Sequence, residues 1–181
     1  MLNVISFDDG QWYKLIAEKG QQHVMADDLL PNIKNNYTYS SYIFFPMYPY
    51  TVRILMNISG LGFVEAGFIL SVILSLTLFI FFYKFSAMVL NDKKLSFWAT
   101  ILLIIFPYHF YYSMLYTESL FLILLLLSFY AIEKQYWIVF IFSSSLLVLT
   151  RAPGILMGIP MFVYVLEKTD KKDIFSKQTF K

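Results

Sequence analysis

Cysteine is absent from the 181-residue chain, so neither a disulfide framework nor a thiolate metal site is available. Histidine is nearly absent. His23 and His109 stand alone, no His-x-x-x-His spacing joins them, and neither a metal site nor a cofactor is expected. Charge is scarce: Asp, Glu, Lys and Arg make up 14% of residues, below the usual share of a soluble domain. The net charge of +2 comes without a basic tract, which leaves a nucleic acid no footprint. The first eleven residues hold two Asp and no apolar run, so they read as a loop and not as a cleavable leader. No repeat or low-complexity linker divides the chain.

What fills the chain instead is apolar. Hydrophobic residues make up 59%, aromatics 20%, and mean hydropathy is +0.63. This is the composition of a membrane protein. Residues 1–51 are the polar and aromatic part, with a short helix expected over 10–19: Trp12, Tyr13, Ile16 and Ala17 can share a face, Lys14 and Glu18 lie one turn apart, and Gly20 suits the stop. Pro46 and Pro49 disfavour regular structure running through 40–50, and Val52 to Gly62 reads as a short amphipathic helix.

Residues 52–166 form the membrane region, with five hydrophobic blocks. Crossings are expected near 64–84, 95–115, 117–133, 135–150 and 152–167, followed by a charged tail, 167–181. A helix rises about 1.5 Å per residue and needs about 20 residues to cross. The last three blocks are short and need flanking residues that snorkel, or a thinner bilayer. A four-span alternative merges the fourth and fifth blocks into one broken helix around Arg151 to Gly154. The expected fold class is therefore all-α, a polytopic membrane protein with about five transmembrane helices. With five crossings, nine Lys/Arg fall on one side and five on the other, which points the richer side to the cytoplasm.

That topology puts Asp8, Asp9, His109, Tyr116, Glu118 and Arg151 at the non-cytoplasmic face. An acid, a histidine and an arginine together can hold a phosphate and accept a proton. Each residue also has a plainer role. Asp9 suits a helix N-cap, and Glu118 suits the positive end of a helix that Thr117 would cap. His109 suits the interface, bonded to a backbone carbonyl. Arg151, set between two apolar blocks, is costly to bury without a partner.

Four stretches in order resemble a known family. "DGQWYKLIAEKG" resembles the first-loop motif of the family that includes the GPI mannosyltransferase adding the second mannose, with its bacterial relatives. Asp9 matches the family's Asp, Trp12 and Tyr13 its aromatic pair, and Ile16, Ala17 and Gly20 follow in register; Asp8 stands where an aromatic is usual, and Gln21 where Tyr is often found. "FFPMYP" resembles its aromatic-proline motif, "FPYHFYYSMLYTESLF" its run ending in Tyr-Thr-Glu-Ser, and "TRAPG" its Thr-Arg-x-x-Gly motif.

The resemblance implies part of a C-type glycosyltransferase fold. The family's members are longer and open with a membrane helix, so the chain reads as a fragment. The implied activity moves a hexose, mannose first, from a polyprenyl-phosphate donor to a membrane lipid or glycan acceptor, with inversion. Asp9 would be the base, with Asp8 the alternative. Arg151 and His109 would bind the donor phosphate, and Tyr116, Glu118, Trp12, Tyr13 and Arg53 would shape the site. The implied location is an integral protein of the bacterial plasma membrane, with the lipid bilayer as its surroundings. Two other classes stand beside this one: a noncatalytic membrane subunit with a protein partner, and a transporter whose broken spans at Pro107 and Pro153 line a path.

Overall fold

The computed structural model describes residues 9–25 and 38–168. The chain opens with α1 (Asp9–Lys19), which buries Tyr13, Ile16 and Ala17 on one face. Lys14 and Glu18 meet at 3.9 Å on the outer face. Gly20 closes the helix at φ +85°, its N–H donating to the Ile16 carbonyl at 2.9 Å. Only glycine adopts that backbone without strain.

The next element departs from an all-α chain. Strands β1 (His23–Met25) and β2 (Thr38–Ser40) pair antiparallel, with His23 opposite Ser40. The buried Ser41 closes this ribbon: its hydroxyl accepts from the Gln22 N–H at 2.7 Å and donates to the Gln22 carbonyl at 2.9 Å.

Helix α2 (Met47–Ser59) starts earlier than expected, inside the two-proline segment. Pro46 sits at the N-cap and Pro49 in the first turn, where backbone N–H groups have no intrahelical acceptor and a missing one costs nothing. Gly60, at φ +71°, ends the helix.

Helix α3 (Phe63–Leu90) has 28 residues and spans about 42 Å. Asn91 stops it in the left-handed region, and Asp92 caps α4 (Lys93–Ile105) by accepting from the Lys94 and Leu95 N–H groups at 2.8 and 3.1 Å. A 3-10 turn at His109–Tyr112 leads to α5 (Glu118–Glu133), α6 (Trp137–Val148), the single turn α7 (Pro153–Leu156) and α8 (Gly158–Lys168).

Five crossings are not what the chain builds. Among the described residues, α3 alone is long and apolar enough to cross a membrane. The expected span 95–115 stops as helix at Ile105, because Phe106 must be extended before Pro107. The expected 117–133 and 135–150 are helices of 16 and 12 residues, separated by Gln135 at φ +58°. The expected 152–167 divides into α7 and α8. Residues beyond 168, and with them most of the expected tail, lie outside the described residues.

Helices α4 and α5 lie against α3, α6 against α5, and α8 returns onto α5. The shared core holds Tyr48, Val52, Phe63, Ala66, Leu115, Leu120, Leu124, Ile132, Leu147 and Met161. Small residues let the helices approach. Ser128 of α5 donates to Ser143 of α6 at 2.8 Å, both buried.

The far end of α5 is tied to α8. Glu133 accepts from Lys168 at 2.9 Å and from the Tyr164 hydroxyl, and Phe129 lies 5.9 Å from the Tyr164 ring. The Lys168 hydrogen bond, then that of Tyr164, holds the Glu133 carboxyl below its ordinary 4.5, with Lys134 adding a smaller pull. A depressed folded pKa stabilises above the unfolded value and is lost as pH falls through the folded one. Thermal melts in detergent should therefore place Glu133→Gln below the parent at pH 7, with the gap narrowing as pH falls below 4.5 and through the depressed folded value. A gap that does not narrow on acidification would show that the carboxylate charge is not what holds α8.

Candidate functional site

The site lies where the start of α5 meets the turn after α6. Glu118 opens α5, and its Oε1 accepts from Nη1 of Arg151. The two residues are 33 apart in sequence. The side chains keep 25% and 39% of their exposure, so the pair is sheltered but reachable. This is the partner that an arginine between apolar blocks requires. The other carboxylate oxygen, Oε2, is shielded and has no hydrogen-bond partner.

Thr117 does not do what its position led us to expect. It stands at the N-cap of α5 with helical backbone angles, and its side chain makes no cap bond. Its buried hydroxyl instead stands beside the Tyr13 phenol, whose ionised form it favours. Tyr13 is the point where α1 meets this region. Burial pushes its hydroxyl up to about 12; the charge of Asp9 adds to that, Glu118 adds less, and Arg151 opposes it. Asp9, Thr117, Glu118 and Arg151 thus all act on one ring. At neutral pH that ring is a neutral O–H donor. Tyr112 is likewise raised, first by burial and then by Glu118.

Aromatic packing places α1. Trp12 stacks on Phe44 at 5.2 Å, and Tyr13 meets Phe44 and Tyr48 edge-on at 5.8 and 5.6 Å. Asp9 itself is exposed, in the first turn of α1. Asp8 lies outside the described residues.

Among the described residues, His109 and Arg53 make no hydrogen bond or ion pair to Glu118 or Arg151. His109 is exposed, and its Nδ1 faces the Phe106 carbonyl at 3.1 Å. Arg53 is exposed on α2. Tyr116 packs edge-on against Tyr111 at 5.3 Å, half-buried. Among the described residues no cluster of three or more His, Cys, Asp or Glu could hold a metal ion. Sequence reading missed Thr117 as a bridging group and missed Ser75 and Ser119, which pin the loop beneath Glu118. Their only signal was small polar residues inside apolar helices.

The Arg151 turn is shaped by Gly154. A Cβ there would sit 2.6 Å from the Leu147 carbonyl oxygen and 2.9 Å from its carbon, both backbone. The turn can fold back on α6 only with no side chain at that position. Gly154→Ala should lower stability by about 1–3 kcal/mol in denaturant or thermal unfolding, whereas Gly158→Ala, at the start of α8 with nothing within 4 Å, should be neutral or slightly stabilising. Equal behaviour of the two variants would refute the close approach.

Against known proteins, the family model described as dolichyl-phosphate-mannose-protein mannosyltransferase matches residues 45–181. That segment contains Arg53, His109, Tyr116, Glu118 and Arg151; Asp8, Asp9, Trp12 and Tyr13 precede it. Comparisons with curated proteins and with solved structures return no match.

Proposed function

From the premise that the chain belongs to the dolichyl-phosphate-mannose-protein mannosyltransferase family, a polyprenyl-phosphate-sugar-dependent group of membrane glycosyltransferases, we propose that it moves a hexose, mannose first, from a polyprenyl-phosphate donor to a lipid or glycan acceptor. The membership is to this related family and not specifically to the GPI second-mannose family of the resemblance.

One observation carries the reading. Glu118 at the start of α5 holds Arg151 of the turn after α6, 33 residues away in sequence, with both side chains still reachable from solvent. In the proposed reaction Arg151 holds the donor phosphate. A guanidinium has five N–H donors, so a carboxylate on Nη1 leaves others for phosphate oxygens. Glu118 fixes its direction and keeps it from swinging to solvent. Asp9, exposed in the first turn of α1, takes the proton of the acceptor hydroxyl as that oxygen attacks C1 of the sugar. The C1–phosphate oxygen bond breaks, the polyprenyl phosphate leaves, and the sugar inverts. Tyr13, buried beside Thr117, stays a neutral hydroxyl at pH 7. Asp8 is the alternative base.

The test is transfer from polyprenyl-phosphate-mannose to a membrane acceptor fraction, using the protein in liposomes with any adjoining coding sequence restored. Asp9→Asn should lower turnover by about 100-fold or more, as loss of a general base does, while donor binding persists. Arg151→Gln should weaken binding of polyprenyl phosphate itself. Full activity in Asp9→Asn with loss in Asp8→Asn would move the base by one residue. No transfer from mannose or glucose donors by a folded parent would sink the enzyme reading, leaving a noncatalytic membrane subunit.

A further inference from the structure

The start of α5 is not held by its own helix cap, so something else must fix where Glu118 stands. Ser75, about 18 Å along α3 from Phe63, is 3% exposed. Its hydroxyl lies against the Tyr112 carbonyl, the Ser71 carbonyl at 2.8 Å, the Ser113 hydroxyl at 3.5 Å and the Ser119 hydroxyl at 3.4 Å. Ser119 donates to the same Tyr112 carbonyl at 2.7 Å. One carbonyl of the 3-10 turn is therefore gripped by a hydroxyl from α3 and a hydroxyl from α5. Ser119 is the residue next to Glu118, and Phe79, one turn below Ser75, meets the Tyr112 ring edge-on at 6.1 Å.

The same face of α3 continues the grip upward. Tyr48 of α2 shares a 2.9 Å hydrogen bond with Ser71, and Leu115 packs into the space that Gly67 leaves open. The run Gly67, Ser71, Ser75 lies at successive i, i+4 positions, one stripe of a helix. Apolar residues there would bury as well, but they would leave the Tyr112 carbonyl one donor short.

We propose that Ser75 is a positioning residue for the transfer reaction: through the Tyr112 carbonyl and Ser119 it sets the register of the α5 N-terminus on α3, and so aims Glu118 at Arg151. This rests on the transferase reading for its kinetic consequence, though not for its structural one. Ser75 touches neither donor nor acceptor; it acts through Glu118.

Two measurements separate that role from a general contribution to folding. The first is a mutant cycle on transfer. Ser75→Ala should lower kcat about tenfold or more with little change in donor KM, the effect of a small misplacement near the reacting groups. In a Glu118→Gln background the same change should cost under about twofold, because the group it aims is already disabled. Thr77→Ala, removing an exposed hydroxyl bonded to the Ile73 carbonyl at 2.8 Å, is the control on the same helix. Ser119→Ala should reproduce Ser75→Ala. A Ser75→Ala loss of equal factor in both backgrounds would overturn the proposal.

The second measurement does not need activity. The chain has no cysteine, so cysteines introduced by Leu122→Cys, one turn along α5 from Glu118, and Ala152→Cys, beside Arg151, can be probed with bifunctional maleimides of graded length without competing thiols. Cross-link yield should fall in Ser75→Ala and stay at the parent level in Thr77→Ala. Unchanged yield in Ser75→Ala overturns the proposal whatever the enzyme does. Reduced yield in a protein that transfers no sugar leaves the positioning role standing and removes the transferase reading.

Discussion

A carboxylate and a guanidinium, Glu118 at the start of α5 and Arg151 in the turn after α6, meet in a half-sheltered space although they are 33 residues apart in sequence. Each charge is costly to shelter in an apolar region without the other. Their pairing therefore constrains everything that places them: the start of α5, the turn after α6, and the glycine that lets that turn fold back. The pair leaves one carboxylate oxygen shielded and unbonded. That is an expensive arrangement to keep in a fold with so little charge.

Around that pair the chain uses hydroxyls where a soluble protein would use charge. Ser75, Ser119 and Ser71 tie the 3-10 turn, α5 and α2 to the one long helix, and Ser128 with Ser143 ties α5 to α6. Each is a short side chain, so backbones come close and polar groups are satisfied internally. The aromatic ladder of Trp12, Phe44, Tyr13 and Tyr48 does the corresponding work for α1, bringing the Asp9 helix over the same end of the bundle.

The helices other than α3 are short for identifiable local reasons. Pro107 forces Phe106 out of the helical region, Gln135 takes a left-handed turn, and Pro153 opens a new turn after Arg151. Apolar block length, which pointed to five crossings, counts residues without asking where hydrogen bonding stops. Pro46 and Pro49 mislead in the opposite sense. They fall in the first turn of α2, where proline removes no bond.

Composition alone established an apolar, thiol-free chain, and the order of motifs pointed to sugar transfer from a lipid phosphate, since both depend only on which residues occur and in what sequence. The need of Arg151 for a partner was also legible, because the cost of burying a charge is local. Its identity was not. Glu118 and Thr117 each had an adequate local role at a helix start, and nothing nearby in sequence ranks a tertiary ion pair above a helix dipole, or a contact with Tyr13 above a cap. Packing α5 against α3 and folding the Arg151 turn onto α6 settled both. Long-range contacts choose among local roles that are close in energy, and helix ends at a site are where several such roles compete.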